Sequence, residues 1–164
     1  MNLYVKGFAV AVGTTLAMCA QASYIGLDLN QEGISDTTLA ANNSYAGTPG
    51  SELTIGQAGY AGATVLALEP GPFNLTFTYL FKEARFTNTF FYQGVELFNT
   101  NSATGSSYST TYTGDIGALD FMFTSVGLDG STKSVTNAGN SGIEPKFSTF
   151  WNVGSNTLYL GLDD

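Results

Sequence analysis

The chain has 164 residues, 43% of them hydrophobic and only 11% charged, with five basic against thirteen acidic side chains and a formal net charge of −8. It contains no histidine and a single cysteine. That excludes histidine-based triads and His-ligated zinc, and the scarce, scattered cations give no electrostatic footprint for nucleic acid or an anionic membrane.

Residues 1–22 read as a secretory signal peptide. Lys6 and the amino terminus supply a positive start, Gly7 to Ala20 is apolar but short for a membrane span, and Ala20-Gln21-Ala22 offers small residues for cleavage before Ser23. A lipoprotein leader ending at Cys19 ranks well behind, because the large Met18 precedes it. Cleavage leaves 142 residues (164 less 22) as a single domain, 23–164, with no cysteine and a net charge of −9 once Lys6 departs. No membrane span is expected in the mature chain. A domain of this size buries roughly two-thirds of its unfolded surface and needs no disulfide.

Tyr24 to Leu29 reads as a first strand, followed by a polar loop from Asn30 to Gly50. Glu52 to Ile55 and Ala63 to Leu68 are strand candidates, and Glu69-Pro70-Gly71-Pro72 stops the second. The stretch Phe73 to Phe98 carries nine of the 22 aromatic residues. In it Phe73, Leu75, Phe77, Tyr79 and Phe81 alternate with Asn74, Thr76 and Thr78, the pattern of a strand with one buried face. Phe86 to Tyr92 and Val95 to Phe98 follow as two further strands around a turn at Gln93-Gly94. Asn99 to Ser107 is a loop and Tyr108 to Tyr112 a short strand. In Gly117 to Val126, Leu119, Phe121 and Phe123 point inward. Gly127 to Gly142 reads as a long structureless loop. Ile143 to Val153 and Thr157 to Leu162 close the chain, the latter alternating Leu158, Leu160 and Leu162. The expectation is all-β, an antiparallel β-sandwich or jelly roll of about eight strands. Asn42 and Asn74 begin glycosylation tripeptides that we read as chance.

No phosphate loop, dinucleotide fingerprint or G-x-S-x-G is present. Glu83 and Glu96 are the least implausible carboxylate pair for glycoside hydrolysis, a remote alternative, since Glu83 in Lys82-Glu83-Ala84-Arg85 also reads as a charged strand end. Trp151, Tyr108, Tyr112 and Tyr159 are available as stacking platforms for a carbohydrate-binding module, although aromatic residues in a small β domain are mostly core. At the end of the chain a strand runs into Asp163 and Asp164. Paired carboxylates there suit a hard cation such as calcium, which takes six to eight oxygens, so two residues would form only part of a site.

The central GPFNLTFTYLFKEARFTNTFFYQG with its Glu83-Ala84 and Thr87-Asn88, the later GALDFMFTS and the closing LYLGLDD together resemble exported bacterial proteins of the Pro-Glu-Pro C-terminal sorting type. The resemblance spans roughly residues 70–164. It implies an acidic loop and one further strand after LYLGLDD, a calcium site to which Asp163 and Asp164 contribute, and a domain that lacks its C-terminal end here. The combined expectation is a non-enzymatic, secreted or cell-surface component of the extracellular matrix of a Gram-negative bacterium. Calcium is its expected cofactor, and an extracellular polysaccharide or matrix protein its expected partner.

Overall fold

The structure is a computed structural model, and it describes residues 8–13, 24–31, 33–39, 53–54, 56–82, 86–141, 143, 145–152 and 157–163. Within them the chain is built almost wholly from strands, and every strand pairing among the described residues is antiparallel. Fourteen strands occur among the described residues, more than the eight or so expected, because several are short or polar.

The largest sheet has seven strands. Its backbone is β6 (Phe73–Lys82), the aromatic stretch singled out in the sequence, with β9 (Ser107–Tyr112) on one side. On the other side lies β1 (Phe8–Gly13), then β14 (Thr157–Asp163), β13 (Lys146–Asn152), β4 (Ala58–Ala61) and β3 (Ser35–Thr38). Strand β1 falls inside the segment read as a leader.

A four-stranded sheet, ordered β12 (Thr132–Thr136), β11 (Phe121–Val126), β7 (Thr87–Tyr92), β8 (Val95–Asn99), packs over one face of the large sheet. Beside it a three-stranded sheet is formed by β10 (Gly117–Ala118), β5 (Thr64–Ala67) and β2 (Ile25–Asp28). The architecture is an antiparallel β-sandwich.

Alternation explains the core. Phe73, Leu75, Phe77 and Tyr79 of β6 are all buried, as are Phe121 and Phe123 of β11 and Leu158, Leu160 and Leu162 of β14. Aromatic rings tie the layers together: Phe77 lies 5.4 Å from Phe90 and 4.7 Å from Tyr92, and Phe147 lies 5.4 Å from Phe121 and 5.7 Å from Phe123. Each such ring contributes roughly 1.5–3 kcal/mol by leaving water. Strands β13 and β14 are buried on both faces. Phe150 and Tyr159, opposite one another in register, are buried on the side away from the main core.

Three segments differ from their sequence reading. Glu52 to Ile55 was expected as a strand, but its described residues Leu53 and Thr54 lie outside any strand. Gly56 turns the chain there with φ 81°, and the Gln57 N–H closes back on the Thr54 carbonyl at 3.0 Å. The polar loop from Asn30 contains β3, an edge strand with only Thr37 buried, so its composition is that of a loop. The stretch Gly127 to Gly142 holds β12 and a 3-10 turn, Asn137–Gly139, that docks against β5.

Candidate functional site: a cleft at one rim of the sandwich

Strand register gathers one end of the molecule. Ala9 of β1 faces Phe81 of β6 and Gly161 of β14, so β6 and β14 run in the same direction and end at the same rim. Lys82 and Asp163 therefore lie on strands two spacings apart, about 10 Å, and Asp163 pairs with Lys146 at the start of β13. Strand β7 starts at this rim and β11 ends there, with Thr87 opposite Val126. Lys133 of β12 faces Ser125 of β11 at the same level. Three of the four basic residues of the chain after residue 22 thus sit at one end of the sandwich, though they are far apart in sequence.

A cavity of about 400 Å³ opens here, lined by Phe86, Ser125, Gly127, Leu128, Asp129, Ser131 and Lys133. Its wall is the β11–β12 connection. The Gly127 N–H donates to the Ser131 carbonyl at 2.8 Å, and Gly130 adopts φ 81°, which a residue with a Cβ reaches only with strain. Asp129 completes the turn: its Oδ1 accepts from the Ser131 N–H at 2.9 Å and from the Ser131 hydroxyl at 2.6 Å. Those bonds, the hydroxyl first, hold the Asp129 carboxyl below its ordinary value, with the nearby Lys133 charge adding to the effect. A carboxylate so stabilised is a poor proton acceptor, which suits a binding wall better than a general base. Leu128, 78% exposed, forms an apolar lip.

Next to the cleft stands Asn88, opposite Ser125 in register and therefore on the same face of its sheet. It is fully buried, and neither its Oδ1 nor its Nδ2 finds a partner among the described residues. A buried, unpaired carboxamide is costly.

The cleft joins a carboxylate, an ammonium, two hydroxyls, an aromatic ring and an apolar lip in a volume typical of small-ligand sites. Such a set is complementary to a polar ligand rich in hydrogen-bonding groups. It is not a nucleophile and base arrangement.

Of the residues singled out in the sequence, Asp163 is placed by its backbone in β14 at this rim, while Asp164 and Glu83 lie outside the described residues. Among the described residues no three Asp, Glu, His or Cys side chains gather as a metal site. Asp129 itself does not fit calcium, since one oxygen is engaged by Ser131 and a lysine lies nearby. Glu96 is exposed on β8 and accepts from the Asn99 side chain at 2.7 Å. Tyr112 and Tyr159 are buried and Trp151 packs against the core, so none of the three offers a free ring; Tyr108, 42% exposed, does. Phe86 and Ser125 lie in segments read as strands, but the other cleft residues were missed because they fall in the stretch read as structureless. The available signal was Asp129-Gly130-Ser131, whose chemistry favours a tight turn closed by the aspartate.

A second polar surface covers the face of β6 and β9 opposite the core. Thr76 and Ser109 hydroxyls lie 2.9 Å apart, as do those of Thr78 and Ser107, and the Thr111 hydroxyl donates to Asn74 at 3.1 Å.

Fold and rim together define a single class, an antiparallel β-sandwich with a ligand-sized cleft at one end. Comparison with protein-family models, with curated proteins and with solved structures returns no match. No helix among the described residues is long and apolar enough to cross a membrane.

Proposed function

We propose that the protein is an exported, non-enzymatic component of a cell surface or extracellular matrix, and that its rim cleft holds a segment of extracellular polysaccharide. The observation that carries this reading is the lining of the cleft. Phe86 offers a ring for stacking on a sugar face, the Asp129 carboxylate and the Ser131 hydroxyl oxygen offer acceptors for sugar hydroxyls, and Lys133 offers a cation for an acidic sugar. Calorimetric titration with neutral and uronic-acid oligosaccharides tests it. Phe86→Ala is expected to weaken binding of both classes at least tenfold, and Lys133→Ala to weaken the acidic class more than the neutral one. Affinity unaffected by both substitutions would remove the cleft from the reading.

Secretion through a leader spanning residues 1–22, and calcium held with the help of Asp163 and Asp164, belong to the same proposal. They are supported by the sequence pattern at the two ends of the chain.

A further inference from the structure

Strand β1 fills a position that no other strand among the described residues occupies. It is hydrogen-bonded on both sides, to β14 from Ala9 opposite Gly161 to Gly13 opposite Thr157, and to β6 from Phe8 opposite Lys82 to Gly13 opposite Thr76. Its six residues, Phe-Ala-Val-Ala-Val-Gly, belong to the segment read as a leader. Take that segment away and β6 and β14 are left as two facing edges about 10 Å apart, twice the spacing of paired strands. They run in the same direction, and each exposes a row of unpaired N–H and C=O groups. The two edges cannot close on one another without shifting buried residues on both: Phe77 and Tyr79 on β6, Leu158 and Leu160 on β14.

We infer that the exported protein carries an open strand slot between β6 and β14, and that the slot receives an extended strand from another polypeptide. The inference rests on the reading that residues 1–22 are removed. The geometry states what the incoming strand must be. It runs antiparallel to both neighbours over about six residues. Its core-side positions are those in register with Leu160 and Tyr79, and with Leu158 and Phe77, which Val10 and Val12 take in the present chain. Apolar residues are required at those two positions, because the flanking side chains are wholly within the core. Between them the register partners are Tyr159 and Thr78, with Gly161 opposite the position before the first, and small residues fit beside Tyr159, itself buried on the far face. The donor is therefore a short segment of alternating branched-apolar and small residues. Before cleavage β1 occupies the slot in cis, so removing the leader makes the protein competent to assemble.

The test starts from the full chain, folded with a protease site placed between Ala22 and Ser23 and then cut. Native mass spectrometry should find the 1–22 fragment still bound. A labelled peptide of sequence GFAVAVGT should displace it, whereas the same peptide with lysine at the positions of Val10 and Val12 should not. Loss of the fragment on cutting, with β6 and β14 amides still protected from exchange and no peptide taken up, would overturn the slot. A homodimer that forms on cutting and excludes the peptide would also overturn it, by making a second copy the occupant. The mass of the exported protein separates the two premises: a mass that begins at Met1 overturns the leader reading, and with it any open slot outside the cell, even where the peptide exchanges in vitro.

Discussion

The Asn137 side chain pairs with both backbone groups of Val65, its Oδ1 accepting from the Val65 N–H at 2.8 Å and its Nδ2 donating to the Val65 carbonyl at 2.7 Å. The carboxamide thus behaves as a peptide unit of a neighbouring strand, continuing the edge of β5 where the two-residue β10 runs out. Its second N–H reaches the Leu119 carbonyl at 2.8 Å. Three residues on, Asn140 repeats the arrangement in the large sheet. Its Oδ1 accepts from Phe147 N–H at 3.1 Å, and its Nδ2 donates to the Phe147 and Ala63 carbonyls, both at 3.0 Å. One 3-10 turn therefore pins the three-stranded sheet to the seven-stranded one. Asn137→Ala would leave the buried Val65 N–H without this partner, while the Val65 carbonyl keeps the Leu119 N–H at 3.0 Å and the Leu119 carbonyl keeps the Phe121 N–H at 3.1 Å. The expected loss is about 2–4 kcal/mol, a fall in melting temperature of roughly 5–15 °C, read by thermal and urea denaturation.

Tyr92 should make the protein sensitive to alkali. Burial in the core, helped by the neighbouring Tyr112, Asp120 and Tyr108, pushes its hydroxyl up to about 12 from an ordinary 10.0, and the hydroxyl has no partner among the described residues. Tyr79 is raised in the same direction by burial. Since the folded form holds the proton more tightly than the unfolded chain, the stability from this group is complete below pH 10 and is lost as pH rises toward 12. Unfolding followed by circular dichroism should coincide with phenolate absorbance in that window, and Tyr92→Phe should move the transition to higher pH.

Asn88 is a site where a polar group weakens the fold. Replacing it with valine removes an unpaired buried carboxamide and supplies a β-branched side chain in a strand. Asn88→Val is expected to stabilise the domain by about 1–2 kcal/mol, checked by urea denaturation. Loss of saccharide affinity in a stabilised variant would show that the carboxamide serves the cleft.

The hairpin joining β7 to β8 turns through Gln93 at φ 50° and Gly94 at φ 74°, two successive residues in the left-handed region. That is the type I′ geometry for which Asn-Gly is preferred. Gln93→Asn should raise stability by about 0.5–1 kcal/mol, and Gly94→Val should lower it by at least as much, both measured by thermal unfolding.

Calcium held near Asp163 and Asp164 would stabilise the fold by linkage, by about 2.7 kcal/mol at a hundredfold excess over the dissociation constant, and so raise the melting temperature. A chelator should then lower the melting temperature of the exported protein, and Asp163→Asn should abolish that response. An unchanged melting temperature with chelator removes calcium from the proposal.

Local pattern was enough for the strands that carry the core. The alternation of β6, the inward Leu119, Phe121 and Phe123, the Leu158-Leu160-Leu162 row and the Gln93-Gly94 turn are all legible in the chain, because a strand's side chains alternate by local geometry. It did not reveal that β14 is buried on both faces, since Tyr159 and Gly161 look like the outward half of an alternating strand. It also passed over β3 and β12, polar strands recognisable only from their partners. The candidate site was the least legible part. Lys82, Lys133 and Lys146 look scattered along the chain, and Asn137 and Asn140 look like loop residues.

By itself, then, the sequence determined the class of the fold and the alternating rows of β6, β11 and β14 that face its main core. The tertiary structure decided which strands are neighbours, and with that the rim cleft, the asparagine joint between the sheets and the slot filled by β1. The physical reason is that inward or outward facing is set residue by residue along a strand, whereas pairing and register arise between segments distant in the chain.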